Sequence, residues 1–219
     1  MPDRPLTPEE QRAERRRGIL DATAALLAGT PVAKLSLGDI GRAVGLATSN
    51  VLRYFESREA ILLDLLDEQQ SGWAAALGTR IAPSDAPLPE RATAAARMLA
   101  ASLEERPVLC ELLAARSTVL ERDVSVHVLL RHRYAAADVE ESLVPVVRRL
   151  LPELVPHRAH RLVATALMVV PAVWSQAHPS RSLLAALEAD PHLAREQHGF
   201  ADAHARLIED VTLGLLSRG

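Results

Sequence analysis

Thr48, Ser49, Asn50, Arg53 and Tyr54 stand close together in the chain, and each carries a group able to hydrogen-bond to a nucleic acid. Hydroxyls and a carboxamide at the start of a helix can meet base edges or phosphate oxygens. A guanidinium can reach guanine or a phosphate, and a phenol can donate to a phosphate. Val51 and Phe55, at i and i+4, take the opposite, apolar side. The segment reads as a short two-faced helix whose outer face could read DNA. A plain helical hairpin with a solvated polar face has the same spacing, so spacing alone leaves both readings open.

The elements around this face follow from caps and stripes. Leu35 to Phe55 reads as two short helices joined by a tight turn at Gly45. Ser36 starts the first, with Asp39 in a capping-box spacing. Leu37, Ile40 and Val44 form its buried side, and Gly45 supplies the positive φ that an abrupt helix end needs. The second runs from about Thr48 to Tyr54. Helix dipoles at Ser36 and Thr48 favour phosphate, which adds Ser36 to the candidate contacts. Upstream, Thr7, Pro8 and Glu10 start a helix with the stripe Ile19, Leu20, Thr23, Leu26 and Leu27, ended by Gly29 and Pro31. Downstream, Ser57 caps a fourth helix over about 58–82, with the stripe Ile61, Leu62, Leu65, Leu66, Trp73 and Leu77.

Residues 83–89, PSDAPLP, read as a loop. Beyond it, helices are expected at about 90–105, 107–115, 123–150, 157–177, 180–189 and 199–217. Pro145 and Pro171 lie inside strong apolar patterns, so each should kink or split its helix.

The chain has 219 residues, 48% hydrophobic and 24% charged, enough for a sizeable core. Only 3% are aromatic, while Ala and Leu abound, which favours an all-α fold. No apolar run approaches the roughly 20 residues of a membrane span. The N-terminus lacks the apolar segment of a secretory signal, so the expected compartment is the cytoplasm, without a membrane partner. The single cysteine, Cys110, excludes an internal disulfide, and its apolar LCELL setting suits an inert buried thiol. His157 and His160 share a helix face, but neither HExxH nor a thiolate accompanies them. No metal and no cofactor are expected, and no nucleophile–base pair suggests an enzyme. The net charge is −3, unevenly spread. Residues 1–60 hold nine basic and eight acidic side chains, about +1, and the rest hold 16 and 20, about −4. That sign suits a DNA-binding end on an acidic body.

The segment from about Arg16 to Leu66 resembles the DNA-binding domain of the TetR family of bacterial transcriptional regulators. The matching pieces are Ile19-Leu20-Asp21-Ala22, Leu35-Ser36-Leu37, Asp39-Ile40 and Ala43-Val44-Gly45-Leu46. After them come Asn50-Val51, Arg53-Tyr54-Phe55, Ser57-Arg58-Glu59 and the Leu-rich start of the fourth helix. The resemblance implies a three-helix helix-turn-helix domain at 1–60, with the fourth helix connecting, then an all-helical ligand-binding and dimerisation domain at 61–219. It places Thr48, Ser49 and Asn50 at the DNA-facing start of the recognition helix and Tyr54 on the backbone. Arg58 stands where the family has a phosphate-binding Lys. Two positions depart from the pattern. Leu52 replaces a phosphate-bonding Tyr, and Ala47 replaces a capping Ser, a role Thr48 could take instead. Of the adjacent Arg15, Arg16 and Arg17, one or two are expected near the DNA backbone.

For the remainder, the resemblance implies a homodimer built from the last two long helices, facing a palindromic operator on double-stranded DNA. Leu162, Val163, Ala166, Leu167, Val170 and Trp174 are the interface candidates on one helix. Phe200, Ala203, Leu207, Ile208, Val211 and Leu215 are those on the other. A pocket for a small apolar or amphipathic effector is expected among Met98, Leu99, Leu103, Leu113, Val126, Leu130, Tyr134, Val170 and Trp174, with Arg116, His127 or Gln176 as polar anchors. Repression relieved by that effector is the family's habit. The alternative is an α-helical small-molecule-binding protein or enzyme that keeps the hairpin without regulatory DNA binding.

Overall fold

Caps and apolar stripes divide the chain into ten α-helices among the described residues, which are 7–190, 192 and 199–217 of the computed structural model. α1 (Pro8–Leu27) starts on the Thr7–Glu10 capping box with Pro8 in its first turn. A 3₁₀ turn at Val32–Lys34 leads to α2 (Leu37–Ala43), which starts on a second capping box between Ser36 and Asp39. Each such cap contributes about 1 kcal/mol. α3 (Thr48–Val51) follows, then α4 (Arg58–Arg80), capped by Ser57.

The C-terminal helices lie close to their expected places. They are α5 (Leu88–Glu104), α6 (Pro107–Ala115), α7 (Val126–Leu150), α8 (Pro156–Ala177), α9 (Arg181–Ala189) and α10 (Phe200–Ser217). A π-helical turn at Arg116–Leu120 continues α6, a feature with no sequence signal. Pro145 and Pro171 split neither helix, since α7 and α8 run through them.

One apolar core runs from Ile19 and Leu20 through Ile61, Leu66 and Trp73 to Leu103, Leu109 and Leu143. α4 passes through it, so the N-terminal helices pack on the C-terminal bundle. A second cluster joins α5, α8 and α10 through Ala92, Ala96, Leu162, Ala166 and Ile208. Small side chains on α5 let α10 lie close against it.

The expected dimer faces need correction. Leu162, Val163, Ala166, Leu167, Val170, Phe200, Ile208 and Leu215 are buried within the protomer. The strongest apolar stripe of each helix packs on its own core. Of the expected residues Leu207 stands exposed on α10, and so do Leu213 of α10 and Met168 of α8, which were not expected.

Candidate nucleic-acid interface and apolar cavity

The turn between α2 and α3 is set by two glycines. Gly45 has φ +67°, the only positive φ among the described residues. Gly41 is buried, and a Cβ there would lie 2.7 Å from the carbonyl oxygen of Leu46. Only a residue without a side chain lets the chain fold back this tightly. The Leu46 N–H donates to the Gly41 carbonyl at 2.8 Å, which locks the turn.

α3 is shorter than expected. After Val51 the bonding tightens, with Arg53 N–H donating to the Asn50 carbonyl and Tyr54 N–H to the Val51 carbonyl. This 3₁₀-like end carries the chain to Phe55, which is buried beside Val51. The residue capping α3 is Ala47, without a side-chain bond, and Thr48 stands inside the helix rather than at its cap. Thr48, Ser49, Asn50, Leu52 and Arg53 are exposed side by side, and Tyr54 is half-buried.

Two arginines of α1 hold this segment from behind. Arg12 donates to the Arg53 carbonyl at 3.0 Å and lies over the Tyr54 ring. Arg16 donates to the Tyr54 carbonyl, sits 4.0 Å from the centre of the Phe55 ring and pairs with Asp64 of α4. Arg16 is therefore committed to the interior, and of the triplet only Arg15 and Arg17 are exposed. Arg12, Arg15, Arg53 and Tyr54 line one groove between α1 and the recognition turn. The supporting role of Arg16 had a trace in the sequence. Of the three arginines, only Arg16 falls on the stripe of Ile19, Leu20 and Thr23. Arg12 lies one turn earlier on the same stripe, while Gly41 had no such signal.

Two expected phosphate contacts are engaged elsewhere. The Ser36 hydroxyl donates to the Asp39 carboxylate and accepts from the Asp39 N–H. The Ser36 hydroxyl and then its backbone N–H hold the Asp39 carboxyl below the usual range. The side chain of Arg58 is only 22% exposed. It donates to the Leu35 carbonyl at 2.9 Å and pairs with Glu59. Arg58 thus joins the start of α4 to the start of α2, rather than offering a free cation to DNA.

The cavity of the C-terminal bundle lies between α4, α5, α7, α8 and α10. Its wall includes Trp73, Leu77, Met98, Leu99, Leu103, Val146, Leu162 and Ile208. Thr212 is its one hydroxyl, and that donates to the Ile208 carbonyl at 2.6 Å. Trp73 Nε1 donates to the Ser102 hydroxyl at 2.9 Å, so no ring donor is left over. The free volume is about 40 Å³.

Of the expected pocket residues, Leu103 lines this cavity, as do Met98 and Leu99. Leu113 and Val170 belong to the surrounding core, and Trp174 packs on Phe200 at 5.2 Å. Val126, Leu130 and Tyr134 are corrected. They are 74%, 52% and 70% exposed, on the outer side of α7. Their spacing marked a common face, but His132, Val139 and Leu143 take the inward one. None of the expected anchors Arg116, His127 and Gln176 is among the lining residues.

Residues 19–65 match the family model for bacterial regulatory proteins of the tetR family, and residues 67–219 match that for the tetracyclin repressor-like C-terminal domain. The chain belongs to the TetR family. It is a DNA-binding transcriptional regulator with the helix-turn-helix domain and helical C-terminal domain of that family. TetR regulators bind DNA and small-molecule effectors and act as dimers. A TetR transcriptional regulator from Rhodococcus sp. RHA1 superposes with a TM-score of 0.59 at 15% identity, over 94% of this chain and 97% of that one. A protein described as a transcriptional regulator from Streptomyces coelicolor A3(2) gives 0.50 at 19% identity, over 99% and 100%. These likenesses speak for the TetR fold. No curated protein sequence matches the chain. No helix among the described residues is long and apolar enough to cross a membrane.

Proposed function

We propose that this TetR regulator is a repressor that binds a palindromic operator as a homodimer and releases it when a small apolar or amphipathic effector enters the bundle. The DNA-binding domain spans 1–60 and the effector and dimer domain 61–219. Thr48, Ser49, Asn50 and Arg53 read bases or phosphates, with Tyr54 on the backbone. Ser36 and Arg58 serve the interface by fixing α2. The dimer forms through the exposed faces of α8 and α10, around Met168, Leu207 and Leu213. The protein acts in the cytoplasm, by binding rather than by catalysis.

The observation that carries the effector reading is the cavity. Its wall is apolar, with its one hydroxyl already bonded. An occupied ligand pocket holds a few hundred Å³, and this one holds about 40 Å³. A ligand must therefore separate the helices around it. Such a ligand binds the two packings with different affinity, and a 100-fold preference shifts the balance by about 2.7 kcal/mol.

Selection of duplexes from a random pool by the full-length protein tests the DNA side. An inverted repeat with two half-sites is expected, and no enrichment above non-specific binding would overturn the reading. For the effector side, Trp174→Phe leaves Trp73 as the one indole. Its emission is expected to change on titration with long-chain alkanols, and these should weaken duplex binding.

A further inference from the structure

Asp64 of α4 holds two arginines from opposite sides. One carboxylate oxygen binds Arg16 of α1, and the other binds Arg131 of α7. The Asp64 side chain is only 12% exposed. Arg16 in turn donates to the Tyr54 carbonyl at the end of the recognition turn and lies against Phe55. One turn further along α4, Asp67 meets Nδ1 of His132, the residue after Arg131, at 2.6 Å. At the head of α7, the backbone N–H of Ser125 donates to Glu56 at 2.6 Å. Glu56 directly follows Phe55, and Ser125 caps α7. The recognition turn is thus tied to α7 by polar bonds on both sides.

The far end of α7 forms part of the cavity wall through Leu143, Val146, Val147 and Leu150. Arg131 and Leu143 are twelve residues apart, or about 18 Å along one helix. A helix moves as a rigid rod over that distance. Ion pairs in contact are lost when their groups separate by a few ångströms, whereas the apolar contacts beside them slide at little cost.

We propose that Asp64 is a positioning residue for DNA recognition, binding Arg16 and Arg131 at once so that the setting of the recognition turn depends on the position of α7. While α7 stays in place, Arg131 holds Asp64, and Asp64 aims Arg16 at the Tyr54 carbonyl. When α7 is displaced at the cavity, Arg131 draws Asp64 with it, and Arg16 loses the partner that aims it at the Tyr54 carbonyl. The back of the recognition turn is then released, whereas an Asp64 left with Arg16 alone keeps the turn but no longer reports the position of α7. This rests on the effector reading above, but its test needs no effector. Coupling is reciprocal, so DNA bound at the recognition turn must also steady α7.

Hydrogen exchange of the full-length protein, with and without a duplex selected from a random pool by the wild type, tests this. Adding the duplex is expected to slow exchange of the amides of 126–134 by roughly fivefold or more, the lower end of allosteric couplings. In Arg131→Met the protection of α2 and α3 by DNA should persist while that of α7 falls away, and Arg131→Lys should restore it. The Arg131 side chain is 43% exposed and Asp64 keeps Arg16 as a partner, so neither change threatens folding. A merely structural salt bridge would alter melting without altering this DNA-dependent difference. An α7 that ignores DNA in the wild type overturns the proposal. So does an equal response in Arg131→Met, which would assign the coupling to the Glu56–Ser125 and Asp67–His132 contacts or to core packing. If no duplex is enriched at all, the DNA-binding reading fails first, and the proposal with it.

Discussion

A Cβ atom on Gly41 would stand 2.7 Å from the carbonyl oxygen of Leu46. The obstacle is backbone, which cannot swing aside as a side-chain end can. Gly41→Ala should therefore force α2 and the turn apart. The expected stability loss is about 1–3 kcal/mol, as for other overpacked sites. Duplex binding should fall further than that loss explains, because the angle between α2 and α3 changes. Unaltered affinity for a selected duplex would falsify this account of the turn.

Arg53 is exposed next to the exposed Thr48, Ser49 and Asn50 in the chain. Arg53→Ala should leave the melting temperature unchanged and weaken duplex binding. If Arg53 reads a base, the loss should be about 1–3 kcal/mol and confined to one position of the half-site. A uniform loss with a shallower salt dependence would assign it to phosphate.

Leu52 is 44% exposed on the same surface. Leu52→Tyr adds a phenol where the TetR pattern has one. Tighter binding in a fluorescence titration is expected, with a steeper dependence on salt. No change would mean that this helix docks at a different angle.

Met168 and Leu207 are exposed on neighbouring helices α8 and α10. Replacing both by Glu should leave the helical content intact and produce a monomer in light scattering. Half-site spacing can be read only by two linked recognition helices, so operator affinity should collapse in the same variant. A dimer that survives both changes would place the interface elsewhere.

His204 is buried on α10, with Nε2 3.0 Å from the Ala166 carbonyl and no partner at Nδ1 among the described residues. Burial pushes its imidazole below the usual value, and the Ala166 carbonyl only partly offsets this. The folded state thus binds fewer protons here than the unfolded chain. Its contribution favours folding at neutral pH and is lost as the pH falls through the unfolded value of about 6.5 and towards the folded one. His204→Met should melt with a weaker dependence on pH below 6.5 than the wild type. Equal slopes in thermal melts at several pH values would count against it.

Local signals in the chain carried much of this structure. Capping boxes at Thr7–Glu10 and Ser36–Asp39, Ser57 at the head of α4 and Gly45 in its positive-φ turn depend on residues within three or four positions of one another. Such bonds form wherever the local sequence permits, so helix starts and the turn were legible. The exposed row Thr48, Ser49, Asn50 and Arg53 was legible too, because helical periodicity assigns Val51 and Phe55 to the other face. Periodicity does not say which neighbour an apolar face meets. Val126, Leu130 and Tyr134 made a convincing stripe but face outward on α7, and Leu162 and Ile208 turned into the protomer rather than towards a partner. Long-range pairings were likewise invisible. Arg58 binds the Leu35 carbonyl, and Asp64 draws Arg16 and Arg131 together, across gaps of 23, 48 and 67 residues. Sequence alone determined the helices, the turn and the polar reading face, since each arises from neighbours along the chain. Only the tertiary structure decided which cations remain free for DNA and where the cavity lies, because charge pairing and packing depend on what folding brings alongside.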